Sequence, residues 1–105
     1  MKSITAKELK ASVDAGNQIV LIDVRENNEY EMANMGGVLI PMSEIQQRYN
    51  EIPKEGEVVV HCRSGMRSAN VIAFLEQQHG YTNLANLEGG IIAWAADVDP
   101  TLSVQ

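Results

Sequence analysis

Two short apolar runs, "IVLIDV" at residues 19–24 and "VVVHC" at residues 58–62, stand apart from stretches where apolar residues recur every three or four positions. Runs of this kind suit strands covered on both faces, as in a parallel sheet. Thr5-Ala6-Lys7-Glu8 is a capping box, in which Thr5 and Glu8 satisfy each other's free amides. It predicts a helix with Ala6, Leu9 and Val13 on one face and a stop at Gly16. "ENNEYEMA" predicts a short helix broken by Gly36-Gly37, and "VLIP" a brief strand ending at Pro41. Ser43-Glu44-Ile45-Gln46 predicts the capped start of another helix. Residues 68–78 predict a helix with Val71, Ile72, Phe74 and Leu75 as its apolar face and Gly80 as its end. "NLANLEGG" and "GGIIAWAADV" supply a last strand and a last helix. Strands and helices alternate throughout, which predicts an α/β fold with a small, mainly parallel sheet flanked by helices on both faces.

Composition narrows the setting. A chain of 105 residues, 45% of them hydrophobic, suits a single domain over residues 1–105 with one core. Eight basic residues against 14 acidic ones give a formal charge of −6, which argues against nucleic acid or an anionic membrane as a partner. The opening "MKSITAKELKASVDAG" lacks the continuous apolar stretch of a secretory signal, and no run reaches membrane-spanning length. A lone cysteine, Cys62, cannot form an internal disulfide. These features predict a cytoplasmic location.

The same charge balance makes the surroundings of Cys62 unusual. In "CRSGMRS", residues 62–68, two arginines flank the thiol of an acidic chain. Cys62 falls where a strand hands over to a helix, beyond the carboxyl end of a sheet strand, where ligands of open α/β sheets gather. A short loop there can turn successive N–H groups onto one point and bind anions. A thiol at that point is favoured as thiolate. Gly65 permits the tight turn, Arg63 and Arg67 offer planar donor forks for an oxyanion, and Ser68 is placed to cap the helix, with Ser64 and the loop amides as further donors. Met66 can shape the pocket mouth. Cysteine phosphatases use a related loop with five residues between cysteine and arginine, whereas four separate Cys62 from Arg67. The smaller ring of amides suits a terminal sulfur on Cys62 better than a phosphoryl group.

"CRSGMRS" resembles the Cys-x-x-Gly-x-Arg-Ser/Thr active-site loop of the rhodanese family of sulfurtransferases. "LIDVRENNEYE", residues 21–31, resembles that family's Asp-Val-Arg motif with its following Glu-Tyr, and "NLEGGIIAW", residues 86–94, its Gly-Gly-x-x-x-Trp signature. The three motifs occur in the family's order and the resemblance covers nearly the whole chain. One stretch departs: "MANMGG" stands where the family often has Gly-His-Ile-x-Gly-Ala. The resemblance implies a rhodanese-like domain whose Cys62 attacks the outer sulfur of thiosulfate or a similar small anionic donor and carries it as a persulfide. Arg63 and Arg67 would hold the donor's oxygens, the amides of residues 64–68 would cradle the sulfur, and Asp23 and Arg25 would tie loops together. The acceptor would be a thiol, cyanide or a sulfur-carrier protein. With "ADVDPTL" near the end, the chain is similar to rhodanese domains fused to adenylyltransferases that serve sulfur-carrier proteins.

Other residues read as structure. His61 is expected to be a satisfied core histidine, since a low-pKa thiolate needs no base. His79 sits in a last helical turn, where its charge suits the dipole. Trp94, Met32, Met35 and Met42 are expected in packing, no metal-ligand spacing is present, and no cofactor is implied. Two other functions remain open from the residues: a cysteine-dependent phosphatase or arsenate-handling enzyme, and a non-catalytic rhodanese-like binding module.

Overall fold

The computed structural model describes residues 1–104. Its elements, in chain order, are β1 (Lys2–Ile4), α1 (Ala6–Asp14), β2 (Ile19–Asp23), α2 (Asn27–Met32), β3 (Val38–Leu39), α3 (Ile45–Arg48), β4 (Glu57–His61), α4 (Met66–His79), β5 (Leu84–Leu87) and α5 (Gly90–Asp97). The strands form one sheet in the order β1-β5-β4-β2-β3, and every pairing is parallel.

Strand β4 lies at the centre, and its alternation divides the core in two. Val58, Val60 and Cys62 pack on the side of α3 and α4 with Ile45, Val71, Ile72 and Leu75. Val59 faces the opposite layer, with Ala6 and Leu9 of α1 and the half-buried Ala93 and Trp94 of α5. Helices therefore cover both faces, as the apolar runs require. Among the described residues no helix is long and apolar enough to cross a membrane.

Several local expectations are corrected. Residues 2–4 form an edge strand that no apolar run announces, because the segment is mostly exposed and pairs only with β5. Val13 is 47% exposed, since α1 buries only Ala6 and Leu9. Ser43 caps no helix: a 3-10 turn over Met42–Glu44 leads into α3 without a side-chain cap. Of the methionines expected in packing, Met35 joins the α1–α5 layer but Met32 and Met42 are exposed. Residue 68 does not begin a helix either, because α4 starts two residues earlier behind Gly65.

At the carboxyl end of the sheet β2 and β4 are held in step. Asp23 lies in register with His61, and the Val24 amide donates to the His61 carbonyl at 3.0 Å. The segments leaving these strands, 24–26 and 62–65, thus emerge side by side. The first leads into α2 and the second into α4.

Candidate active site

Cys62 is followed by a loop in which the carbonyls of Cys62, Arg63 and Gly65 find partners outside it. The Cys62 and Arg63 carbonyls accept from the amides of Ile91 and Ile92, at 3.0 and 3.2 Å, in the first turn of α5. The Gly65 carbonyl accepts from the Ala69 amide and from Asn86 Nδ2 at 3.0 Å. With the carbonyls turned outward, the amides turn inward. Gly65 makes this possible with φ +110°, a conformation L side chains rarely adopt. Its amide donates to Cys62 Sγ at 3.1 Å, the Ser68 amide at 3.4 Å, and Ser68 Oγ stands 3.3 Å away.

These donors settle a contest at the sulfur. Cys62 is only 1% exposed. Burial pushes its thiol up, but the Ser68 hydroxyl and the amides of Ser68, Gly65 and Ser64 together outweigh burial and hold it below the ordinary cysteine range. Ser68 is therefore a member of the cradle and not the expected cap. It is buried inside the first turn of α4, and its hydroxyl also meets Asn86 Oδ1 at 2.6 Å. When Cys62 carries a proton, S–H can donate to Oγ while the hydroxyl donates to Asn86. When the proton leaves, the hydroxyl can turn to sulfur. Ser68→Ala removes one hydrogen bond to an anion, worth about 1.5 kcal/mol. Iodoacetamide alkylation of Cys62 in that variant is expected to show a higher pH midpoint and a rate roughly 10-fold lower below it. An unchanged midpoint would show that the amides alone set the thiol.

The arginines have different fates. Arg63 is exposed, as are Ser64 and Met66, the last at 78%. Arg67 points to a partner the sequence reading missed: its two terminal nitrogens donate to Glu29 Oε1 and Oε2 at 2.7 and 2.8 Å. That bidentate grip draws Glu29 down to about 2, against a smaller opposing effect of burial. Glu29 Oε1 also accepts from the Glu26 amide at 3.1 Å, which anchors the carboxylate at the start of α2. Asn86 was missed as well. Both residues lie within motifs quoted above, Glu29 in "LIDVRENNEYE" and Asn86 at the start of "NLEGGIIAW", but the motifs by themselves do not bring either one to the Cys62 loop.

Asp23 and Arg25 form a buried scaffold beneath the site. Arg25 Nη2 donates to Asp23 Oδ2 at 2.8 Å and to the Ala33 carbonyl at 2.7 Å, and Nη1 reaches the Glu29 carbonyl at 3.4 Å. The pair thereby fixes α2, and with it Glu29, to the end of β2.

His61 is in the core but is not satisfied. It is wholly buried, neither ring nitrogen has a hydrogen-bond partner among the described residues, and the charged Asp23 Oδ2 lies 3.8 Å from Nε2. Burial pulls its pKa below the ordinary histidine value, outweighing the pull of Asp23 in the other direction. The imidazole is thus neutral in the fold, while the unfolded chain protonates it below about pH 6.5. A depressed base makes the unfolded state the stronger proton binder, so stability falls as pH drops below about 6.5. The urea midpoint is expected to decline between pH 7 and pH 5.5, and His61→Gln to flatten that decline. His79 does something simpler, stacking on Tyr49 with centroids 3.7 Å apart.

Comparison with known proteins gives the family and the fold. The profile of the Rhodanese-like domain matches residues 5–97. The chain is 40% identical to a protein of Allochromatium vinosum named "Sulfurtransferase", over 90% of this chain and 89% of that one. It is 34% identical to the Mycobacterium tuberculosis "Probable adenylyltransferase/sulfurtransferase MoeZ", over 95% of this chain but only 26% of that protein, so it spans about a quarter of that relative. Among solved structures, a rhodanese-like domain protein of Staphylococcus aureus superposes with a TM-score of 0.83 at 34% identity, covering 100% of this chain and 99% of that one.

Proposed function

The chain belongs to the rhodanese-like domain family, and from that premise we propose that it transfers a sulfane sulfur from thiosulfate or a similar anionic donor to a nucleophilic acceptor, through a persulfide on Cys62. The observation that carries the reading is the convergence of the Gly65 amide, the Ser68 amide and Ser68 Oγ on one sulfur. A thiolate held this way attacks without an auxiliary base. It displaces the donor's leaving group: the new S–S bond forms as the donor's own S–S bond breaks, and the electron pair departs on sulfite. The terminal sulfur of the persulfide then carries the negative charge, close to the same dipoles.

In the second half-reaction an external nucleophile takes the outer sulfur and returns Cys62 as thiolate. The cysteine count provides no second thiol to do this within the chain. A thiol, cyanide or a sulfur-carrier protein fits that role, and we place the whole of residues 1–105 in one cytoplasmic rhodanese-like domain. Arg63, exposed beside the loop, is the arginine we assign to donor oxygens, with the amides of residues 64–68 as the cradle. Phosphoryl transfer is disfavoured because Arg67, which would have to grip a phosphate, is engaged by Glu29.

The test is direct. Protein incubated with thiosulfate in the absence of reductant should gain a single sulfur atom on the Cys62 peptide by mass spectrometry, and cyanide should remove it as thiocyanate. A protein that gains nothing from any sulfane donor would overturn the reading.

A further inference from the structure

Sequence alone offers the guanidinium forks of Arg63 and Arg67 to an incoming anion, and of these Glu29 engages that of Arg67. The structure leaves a different electrostatic surface. Arg67 presents both terminal nitrogens to Glu29, and Arg25 is closed onto Asp23 with both side chains almost wholly buried. Each is a neutral pair, and a donor anion gains little from either. Glu29 is not a casual partner. Its side chain is fixed by the Glu26 amide and its carbonyl by Arg25, so it holds its position on α2 rather than following Arg67 outward. Met66, between Gly65 and Arg67 in the chain, is 78% exposed and offers an anion an apolar side chain with no hydrogen-bond donor. The chain's charge of −6 repels a dianion about twice as strongly as a monoanion.

We propose that Glu29 sets the donor class. By retaining the Arg67 fork it withholds that cation from the donor, and with the exposed apolar Met66 next to Arg67 in the chain it selects a singly charged organic sulfane donor over the inorganic dianion thiosulfate. This rests on the sulfur-transfer reading above. The chemistry is the same for both donors. The thiolate bonds to the terminal sulfur of an organic thiosulfonate as the donor's S–S bond breaks, and the electron pair leaves on the sulfinate, so charge and atoms balance as they do for thiosulfate and sulfite. Only the charge of the donor and its organic substituent differ. Glu29 acts here as a positioning residue, through Arg67.

Three donors separate these effects: thiosulfate, methanethiosulfonate and benzenethiosulfonate, each with cyanide as acceptor. The unaltered protein is expected to show kcat/KM for benzenethiosulfonate about 10-fold or more above that for thiosulfate, the order one unpaired charge is worth near a surface. Glu29→Gln keeps an acceptor oxygen for the Glu26 amide but releases the fork, and should narrow that ratio at least about 5-fold through a lower KM for thiosulfate. Met66→Lys, at a position too exposed to threaten folding, supplies the cation Glu29 withholds and should move the ratio the same way. A ratio at or below unity in the unaltered protein, or one that neither substitution moves, would overturn the inference while leaving sulfur transfer intact. Failure of all three donors to load Cys62 would instead overturn the sulfur-transfer reading, and this inference with it.

Discussion

Cys62→Ser is expected to abolish sulfur transfer, lowering the cyanide-dependent production of thiocyanate by at least about 1,000-fold. The reason is more than weaker nucleophilicity. A serine hydroxyl among the same donors stays protonated at neutral pH, and an oxygen cannot hold a transferable sulfur as a persulfide does. The substitution should leave the fold in place, because the smaller oxygen still meets the Gly65 and Ser68 amides and Ser68 Oγ. Far-UV circular dichroism and the urea midpoint should therefore stay close to those of the unaltered protein. Residual turnover within about 10-fold of the unaltered protein, with the fold intact, would mean that Cys62 does not carry the sulfur.

Gly90→Ala is expected to be the most damaging single methyl that can be added near the site. Gly90 opens α5 at φ +61°, and a Cβ there would lie 2.4 Å from the Arg63 carbonyl oxygen and 2.5 Å from that of Cys62. Those are backbone atoms that the next two amides hold in place, the Ile91 amide binding the Cys62 carbonyl and the Ile92 amide that of Arg63. No rotamer can relieve such a contact. Either α5 withdraws and leaves two carbonyls without donors, or the loop deforms and the cradle opens. Strained backbone together with lost buried hydrogen bonds predicts a destabilisation of about 3–5 kcal/mol. It would be measured as a lowered urea midpoint. Any folded fraction should alkylate Cys62 more slowly at neutral pH. A midpoint within about 1 kcal/mol of the unaltered protein would show that the α5 junction is not the support described here.

The contrast between these residues and Glu29 shows what the chain discloses by itself. Strands buried on both faces write continuous apolar runs, so β2 and β4 were legible, as was the position of Cys62 at the end of β4. The predicted parallel sheet with helices on both faces follows from those runs. An edge strand has no such obligation, and "KSI" pairs with β5 while two of its three side chains face solvent. The start of α4 differs from the expected one because Ser68 has the chemistry of a cap, whereas the turn is made by backbone dihedrals at Gly65 that require no side-chain cap. Glu29 and Arg67 lie 38 residues apart, and their pairing depends on two helices leaving adjacent strand ends. Nothing in local periodicity records that. The wholly buried His61 with unpartnered nitrogens is equally a product of tertiary packing, since its neighbours in sequence say only that it lies in a strand.

A thiol held below the ordinary cysteine range and yet almost entirely covered also acts as a sieve. Electrophiles must present a narrow leading atom to reach it along the line of attack, and a terminal sulfane does so because it carries no substituent on its far side. A disulfide whose sulfurs each bear a carbon chain, or a maleimide with its ring, must push the loop aside first. Discrimination by width then precedes discrimination by reactivity. It protects the anion from the mixed disulfides to which an exposed thiolate of equal basicity would fall.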